Sequence, residues 1–240
     1  MTTQLMKIKQ CKKVIITGGV AVGKSSICSA IYKYLDDHNI KWVYIPEYID
    51  VKEDGLEMLN KYLKKEITVF EFQKYVINYY DEYLSQLTLD GDELLMFERG
   101  IDDAITCFSN LDYSNNGLTT AEFCELYELV KIYDRKYNIP SYFLDDSKIF
   151  IPVKTDDSKR DGNIIGSIIN NRNNNNIVIG LYNTDKTCYE RMLTRNRPGE
   201  KEAYSLETIS KFNYTYSKLY QILMTKGKLN FVSLGKLIKV

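Results

Sequence analysis

The 240-residue chain has one histidine, His38, and five cysteines, Cys11, Cys28, Cys107, Cys124 and Cys188, with no CxxC pair and no zinc-ligand spacing among them. That excludes a Cys/His metal scaffold and a disulfide framework, and a reducing, cytoplasmic setting is expected. No apolar run approaches the roughly eighteen residues of a membrane span. The opening MTTQLMKIKQCKK has no long apolar core before a cleavage site, so a soluble chain without a leader is expected. A charge excess is missing too, because 32 Lys and Arg balance 32 Asp and Glu. No overall field recruits nucleic acid or an anionic membrane, and any phosphate binding has to be local.

What the chain does have is alternation. The apolar runs VIIT (14–17), WVYIP (42–46), LLMF (94–97), IVIGLY (177–182) and NFVSL (230–234) read as strands. Helical patterns separate them. Ile27, Ala30, Ile31, Tyr34 and Leu35 fall on one face, and so do Phe72, Tyr75, Val76, Tyr79 and Tyr83. Stretches 119–136, 184–194 and 205–225 read as helices N-capped by Thr119, Thr184 and Ser205. Strand alternating with helix implies an α/β fold, a five-stranded parallel sheet flanked by helices, whose ligands gather at the strand carboxyl ends. One domain spanning residues 1–240 is expected. The stretch 140–176 is too long for an ordinary connection. It reads as an insertion, with a hairpin around KIFIPV (148–153) and a low-complexity tail, NNRNNNN (170–176), that carries no chemistry.

Chemistry enters at the first strand. Gly18, Gly19, Val20, Ala21, Val22, Gly23, Lys24 and Ser25 satisfy GxxxxGK[ST] between an apolar strand and an amphipathic helix, and Ser26 continues the motif into that helix. The glycines turn backbone N–H groups inward, Lys24 neutralises the β- and γ-phosphates, the Ser25 hydroxyl suits Mg²⁺, and the helix N-terminus adds a favourable field. A nucleoside triphosphate, ATP, is the expected donor. A GTPase would need DxxG and NKxD, which do not occur, and the third strand ends LLMFERG rather than in the Asp of a motor ATPase. A small-molecule kinase fits better.

Such a kinase needs a carboxylate to take the acceptor's proton, a second acid near the metal and a cation over the developing charge. Glu47 ends the second strand, and Glu98 and Arg99 end the third. They supply these in turn. In YERMLTRNRPGE (189–200), Arg191 and Arg195 share a helical face and Arg197 follows, so this segment (about 191–204) reads as a lid closing three guanidinium groups over the transferring phosphate.

In order and approximate spacing, GGVAVGKSS, PEYID, FQKYV, FERGIDDAITCF and RMLTRNRPGE resemble the deoxynucleoside kinase family that includes the deoxycytidine, deoxyguanosine and mitochondrial thymidine kinases. The resemblance implies Glu47 as base on the 5′-hydroxyl, Arg99 as the cation of a Glu-Arg-Ser motif and Glu98 as its acid near Mg²⁺. It implies Gln73 on the base edge, Phe108 stacked on the base, and Tyr62 and Glu200 on the sugar 3′-hydroxyl. Phe72, Val76, Tyr80 and Ala104 complete the expected nucleoside pocket. Arg191, Arg195 and Arg197 match the lid arginines. Alanine at 104 leans towards thymidine over deoxycytidine, while Tyr80 stands where relatives carry Arg or Met. Gly100 replaces the motif's serine, and Tyr48 is the candidate to replace a missing pocket tryptophan. A homodimer through FEFQKYVINYYDEYL (70–84) and AEFCELYELVKIYDRKY (121–137) is expected. The alternatives are a nucleoside monophosphate kinase of the thymidylate kinase type, against which Ile45 and Pro46 stand where such enzymes place an arginine, and a degenerate P-loop nucleotide-binding protein.

Overall fold

The computed structural model describes residues 3–115, 117–142, 149–171 and 176–226. Its sheet holds β1 (Lys12–Gly18), β2 (Trp42–Ile45), β3 (Leu94–Glu98), β4 (Ile149–Lys154) and β5 (Ile177–Tyr182), in the order β2-β3-β1-β5-β4, every pair parallel. Both faces are covered, which is why β1 and β3 read as unbroken apolar runs rather than as alternating ones. Ile15, Phe97 and Val178 point into one core layer, and Ile16, Met96 and Ile179 into the other. Ile16 lies opposite Glu98 on one side and Ile179 on the other. That register brings the loop after β1 and the Glu98-Arg99 turn to the same sheet edge.

Around the sheet, α1 (Thr3–Gln10) precedes β1 and α2 (Lys24–Asp37) follows it; after β2 come α3 (Tyr48–Val51), α4 (Gly55–Leu63) and α5 (Val69–Gln86). β3 leads into α6 (Ile101–Asp103), a π-helical turn (Ala104–Ser109), α7 (Asn110–Ser114) and α8 (Thr120–Tyr137). α9 (Ser158–Asn171) follows β4, and α10 (Asp185–Arg195), α11 (Glu200–Ala203) and α12 (Leu206–Lys226) follow β5. The expected caps are in place. The Thr119 hydroxyl accepts from the Glu122 N–H at 3.3 Å, while Glu122 accepts from the Thr119 N–H at 2.8 Å. Thr184 and Ser205 accept from the backbone N–H three residues on, each at 3.1 Å. His38 closes α2. α5 and α8 pack on each other within the chain, with the Tyr133 hydroxyl 3.0 Å from Asn78 Oδ1 and Lys74 2.8 Å from Glu125. Among the described residues no helix is long and apolar enough to cross a membrane.

The stretch 140–176 departs from expectation. Residues 149–154 form a parallel edge strand rather than a hairpin, and 158–171 form a helix. Ile151 and Val153 are fully buried in the α2 layer while Phe150 packs on the opposite face. Among the described residues β4 pairs only with β5, and Pro152, which lacks an N–H, is tolerated in such an edge strand. α9 lies against α2 at close range: a Cβ on Gly162 would overlap the Ala30 methyl, and one on Gly166 would come 2.5 Å from the Tyr34 ring. At the end of the asparagine tract Asn176 accepts the Lys13 N–H at 3.1 Å. The expected strand 230–234 lies outside the described residues.

Candidate active site

The turn after β1 holds two residues in left-handed backbone, Gly23 at φ 109°, which glycine takes up freely, and Ala21 at φ 54°, where the Cβ carries a steric cost. α2 then begins at Lys24, whose ammonium is 6% exposed, donates to the Gly19 carbonyl at 3.2 Å and lies 3.4 Å from Glu47 Oε1. Burial and then the nearby Arg99 push the Lys24 ammonium below its ordinary value, and Glu47 opposes them. Gly18, Gly19 and Val22 build the turn without lining the cavity beside it, and Val22 is packed in the core.

Arg99 is the hub of the opposite wall. Its N–H bonds to the Ile16 carbonyl at 2.9 Å, carrying the sheet pattern one residue past β3 before the backbone swings to φ 69°. A non-glycine residue held there stores strain of roughly 1–3 kcal/mol, and several contacts fix it. The Tyr80 hydroxyl donates to the Arg99 carbonyl at 3.1 Å. Asp103 accepts from Thr17 Oγ1 on β1 at 2.6 Å and from the Gly100 N–H at 2.9 Å. The guanidinium then reaches Glu47 Oε1 (Nε, 2.9 Å), the Gly18 carbonyl (Nη1, 2.9 Å) and the Tyr216 hydroxyl (Nη1, 2.5 Å), with its carbon 5.0 Å from the Phe108 ring centre. Burial alone would raise the Glu47 carboxyl, but Arg99 and then Lys24 bring it from its ordinary 4.5 to about 2. Glu98 accepts from Ser25 Oγ at 2.7 Å with one oxygen and from the Tyr44 hydroxyl with the other.

These groups open into one cavity of about 460 Å³, which runs from Lys24 and Ser25 to a pocket of Phe72, Gln73, Val76, Tyr80, Ala104 and Phe108. Tyr62 stacks on Phe72 at 4.4 Å, and Tyr48 meets the same ring edge-on at 5.8 Å. Gln73 is 2% exposed and lines this same space. At the mouth Glu200 is gripped by Arg195 at 2.8 and 2.6 Å and approached by Arg197 at 3.6 Å, and Arg197 lies 3.7 Å from Asp50. All but three of the expected residues line this one space, the exceptions being those that form the back of the turn.

The parallel sheet and the helices that flank it have a counterpart among solved structures. The fold is similar to that of a deoxyadenosine kinase. That protein, from M. mycoides and solved with bound dATP, superposes with a TM-score of 0.55 at 21% identity, covering 92% of this chain and 90% of its own. No family model and no curated protein matches the sequence.

Within this deoxyadenosine-kinase-like fold, several site residues have no sequence signal near Glu47 or Lys24. Tyr216 comes from α12, Asp103 caps the Arg99 turn from four residues on, and Thr155 follows β4. Arg191 is tied to the turn after β1, donating to the Val22 carbonyl at 2.9 Å and to the Thr155 carbonyl at 3.1 Å. For Asp103 alone a signal existed: an acid three residues after Gly100, the spacing at which a side chain reaches back to an N-cap N–H.

Proposed function

We propose that this chain transfers the γ-phosphoryl group of ATP to the 5′-hydroxyl of a deoxynucleoside, pyrimidines being preferred. The observation that carries the reading is the meeting of Lys24 and Arg99 on Glu47 Oε1, at 3.4 and 2.9 Å, in one cavity that joins the phosphate loop to the pocket of Phe72, Gln73, Val76, Tyr80, Ala104 and Phe108. With Glu47 held near 2, its carboxylate is ionised in the free protein. Donor phosphates draw Lys24 and Arg99 towards themselves and free that oxygen for the acceptor hydroxyl. The proton passes to Glu47 as the 5′-oxygen bonds to the γ-phosphorus and the bond to the β,γ-bridging oxygen breaks, with Arg99 facing the charge that develops. Ser25 Oγ and Glu98 Oε1, 2.7 Å apart, form a hard oxygen pair suited to Mg²⁺, which when bound neutralises phosphate charge. A carboxylate at this point favours a neutral alcohol over an acceptor that already carries a phosphate.

Gln73 is the base-reading group of this proposal. A buried amide that lines the pocket presents a donor and an acceptor side by side, and after a flip it suits either cytosine or thymine. Tyr80 is 3% exposed and tied to the Arg99 carbonyl, which keeps its ring in the pocket wall and supports a single-ring base. Phe108 stacks on the base, Tyr62 and Glu200 take the sugar hydroxyl, and Arg195 and Arg197 are the cations at the mouth. The reading includes a cytoplasmic homodimer, for which sedimentation of the purified chain is the test.

An assay of ADP release with ATP, Mg²⁺ and each deoxynucleoside tests the activity. Turnover with thymidine or deoxycytidine above the purine nucleosides is expected. Turnover with dTMP alone selects a monophosphate kinase, and no turnover with any acceptor leaves a nucleotide-binding protein. Glu47→Gln is expected to lower kcat by about 10²-fold or more while ATP still binds; a near-normal kcat removes Glu47 from the role of base.

A further inference from the structure

Thr155, 4% exposed, stands one residue past β4 in the stretch that reads from sequence as an insertion. Its hydroxyl donates to the Val22 carbonyl at 2.6 Å and accepts from Asn183 Nδ2 at 3.0 Å and Arg191 Nη1 at 3.2 Å. Its carbonyl accepts from the same two side chains, at 2.7 Å from Asn183 and 3.1 Å from Arg191 Nη2. Arg191 Nη1 also reaches the Val22 carbonyl directly at 2.9 Å. One donor and two acceptor positions exhaust what a threonine hydroxyl offers. The Thr155 hydroxyl therefore has no position left for a ligand and acts through the groups it holds, the Val22 carbonyl and Arg191.

What Val22 transmits follows from peptide geometry. The Val22–Gly23 bond is trans, so the Val22 C=O and the Gly23 N–H point in opposite directions in one plane. Holding the carbonyl on Thr155 and Arg191 therefore fixes the N–H on the opposite side of that peptide, at a residue that borders the cavity. An N–H fixed before the ligand arrives binds an anion without having to be ordered on binding. We propose that Thr155 is a positioning residue: with Arg191 behind the phosphate loop, it locks the Val22–Gly23 peptide so that the Gly23 N–H faces the donor phosphates. This rests on the kinase reading and adds to it a role for the β4–α9 unit. It also makes Arg191 a support of the loop.

Calorimetric binding of β,γ-imido-ATP with Mg²⁺ to the full chain, without nucleoside, tests the proposal. Thr155→Val keeps the branched shape and removes the hydroxyl. Its affinity for the analogue is expected to fall about tenfold, the loss of one well-aimed hydrogen bond, while the acceptor KM stays within twofold and Thr155→Ser restores binding. Unchanged analogue affinity, equal weakening towards donor and acceptor, or failure of the serine to restore binding overturns it. Should Thr155→Val not fold, Asn183→Ala decides by the same measurement: about threefold weaker analogue binding supports the lock, and unchanged binding overturns it. Wild-type chain that does not bind the analogue overturns the kinase reading as well; wild-type binding with an unaffected variant overturns only the role of Thr155.

Discussion

Glu47 shows how much of the site rests on one charge. Its carboxyl lies lower in the folded chain than its ordinary 4.5, so between these values the folded state binds fewer protons than the unfolded one. The stability it contributes is complete above about pH 4.5 and disappears as pH falls towards 2. Glu47→Gln leaves Lys24 and Arg99 facing the cavity without their anion, a loss we place at about 2 kcal/mol because water enters there, or roughly 4–8 °C in Tm at neutral pH. Thermal unfolding of both proteins from pH 7 down to pH 2.5 checks this. The gap between them should shrink steadily below pH 4.5, and a gap as wide at pH 2.5 as at pH 7 is incompatible with it. Glu47, Glu98 and Arg99 are recognisable in the sequence because each ends an apolar run, and strand ends in a parallel sheet share an edge. Tyr216 and Thr155 are not, because their partners lie 117 and 133 residues away and no local pattern joins them.

The α2–α9 contact sets a limit of a different kind. Gly162 lets α9 approach the Ala30 methyl so closely that an added methyl has no room. Gly162→Ala gains about 1 kcal/mol in helix propensity, yet overpacking typically costs 1–3 kcal/mol. The expected net result is a Tm lower by a few degrees, and a variant that melts higher than the parent would show that the helices separate at no cost. The same unit explains why the sequence misleads over 140–176. Alternating Ile149, Ile151 and Val153 are a fair strand signal, but Pro152 and the flanking polar residues blur it, and parallel pairing with β5 has no short turn to announce it. α8, α10 and α12 are plain by contrast, since Thr119, Thr184 and Ser205 mark their starts and caps act through neighbours.

Taken together, the elements hang the chemistry on the sheet unevenly. β1 and β3, which carry the glycine-rich turn and Arg99, lie inside it with partners on both sides, whereas Thr155 hangs from β4, paired on one side only among the described residues. Edge elements open at lower free energy than central ones. The expected order of loss on heating follows: the rim loosens first and the glycine-rich turn loses its outer support while the middle of the sheet is still intact. Binding of β,γ-imido-ATP, followed against temperature beside the far-ultraviolet signal, should therefore decline several degrees before the helices melt, and coincident curves would mean that the rim and the centre come apart as one. On the kinase reading, a chain built this way carries its own thermal fuse, releasing nucleotide before its helices melt.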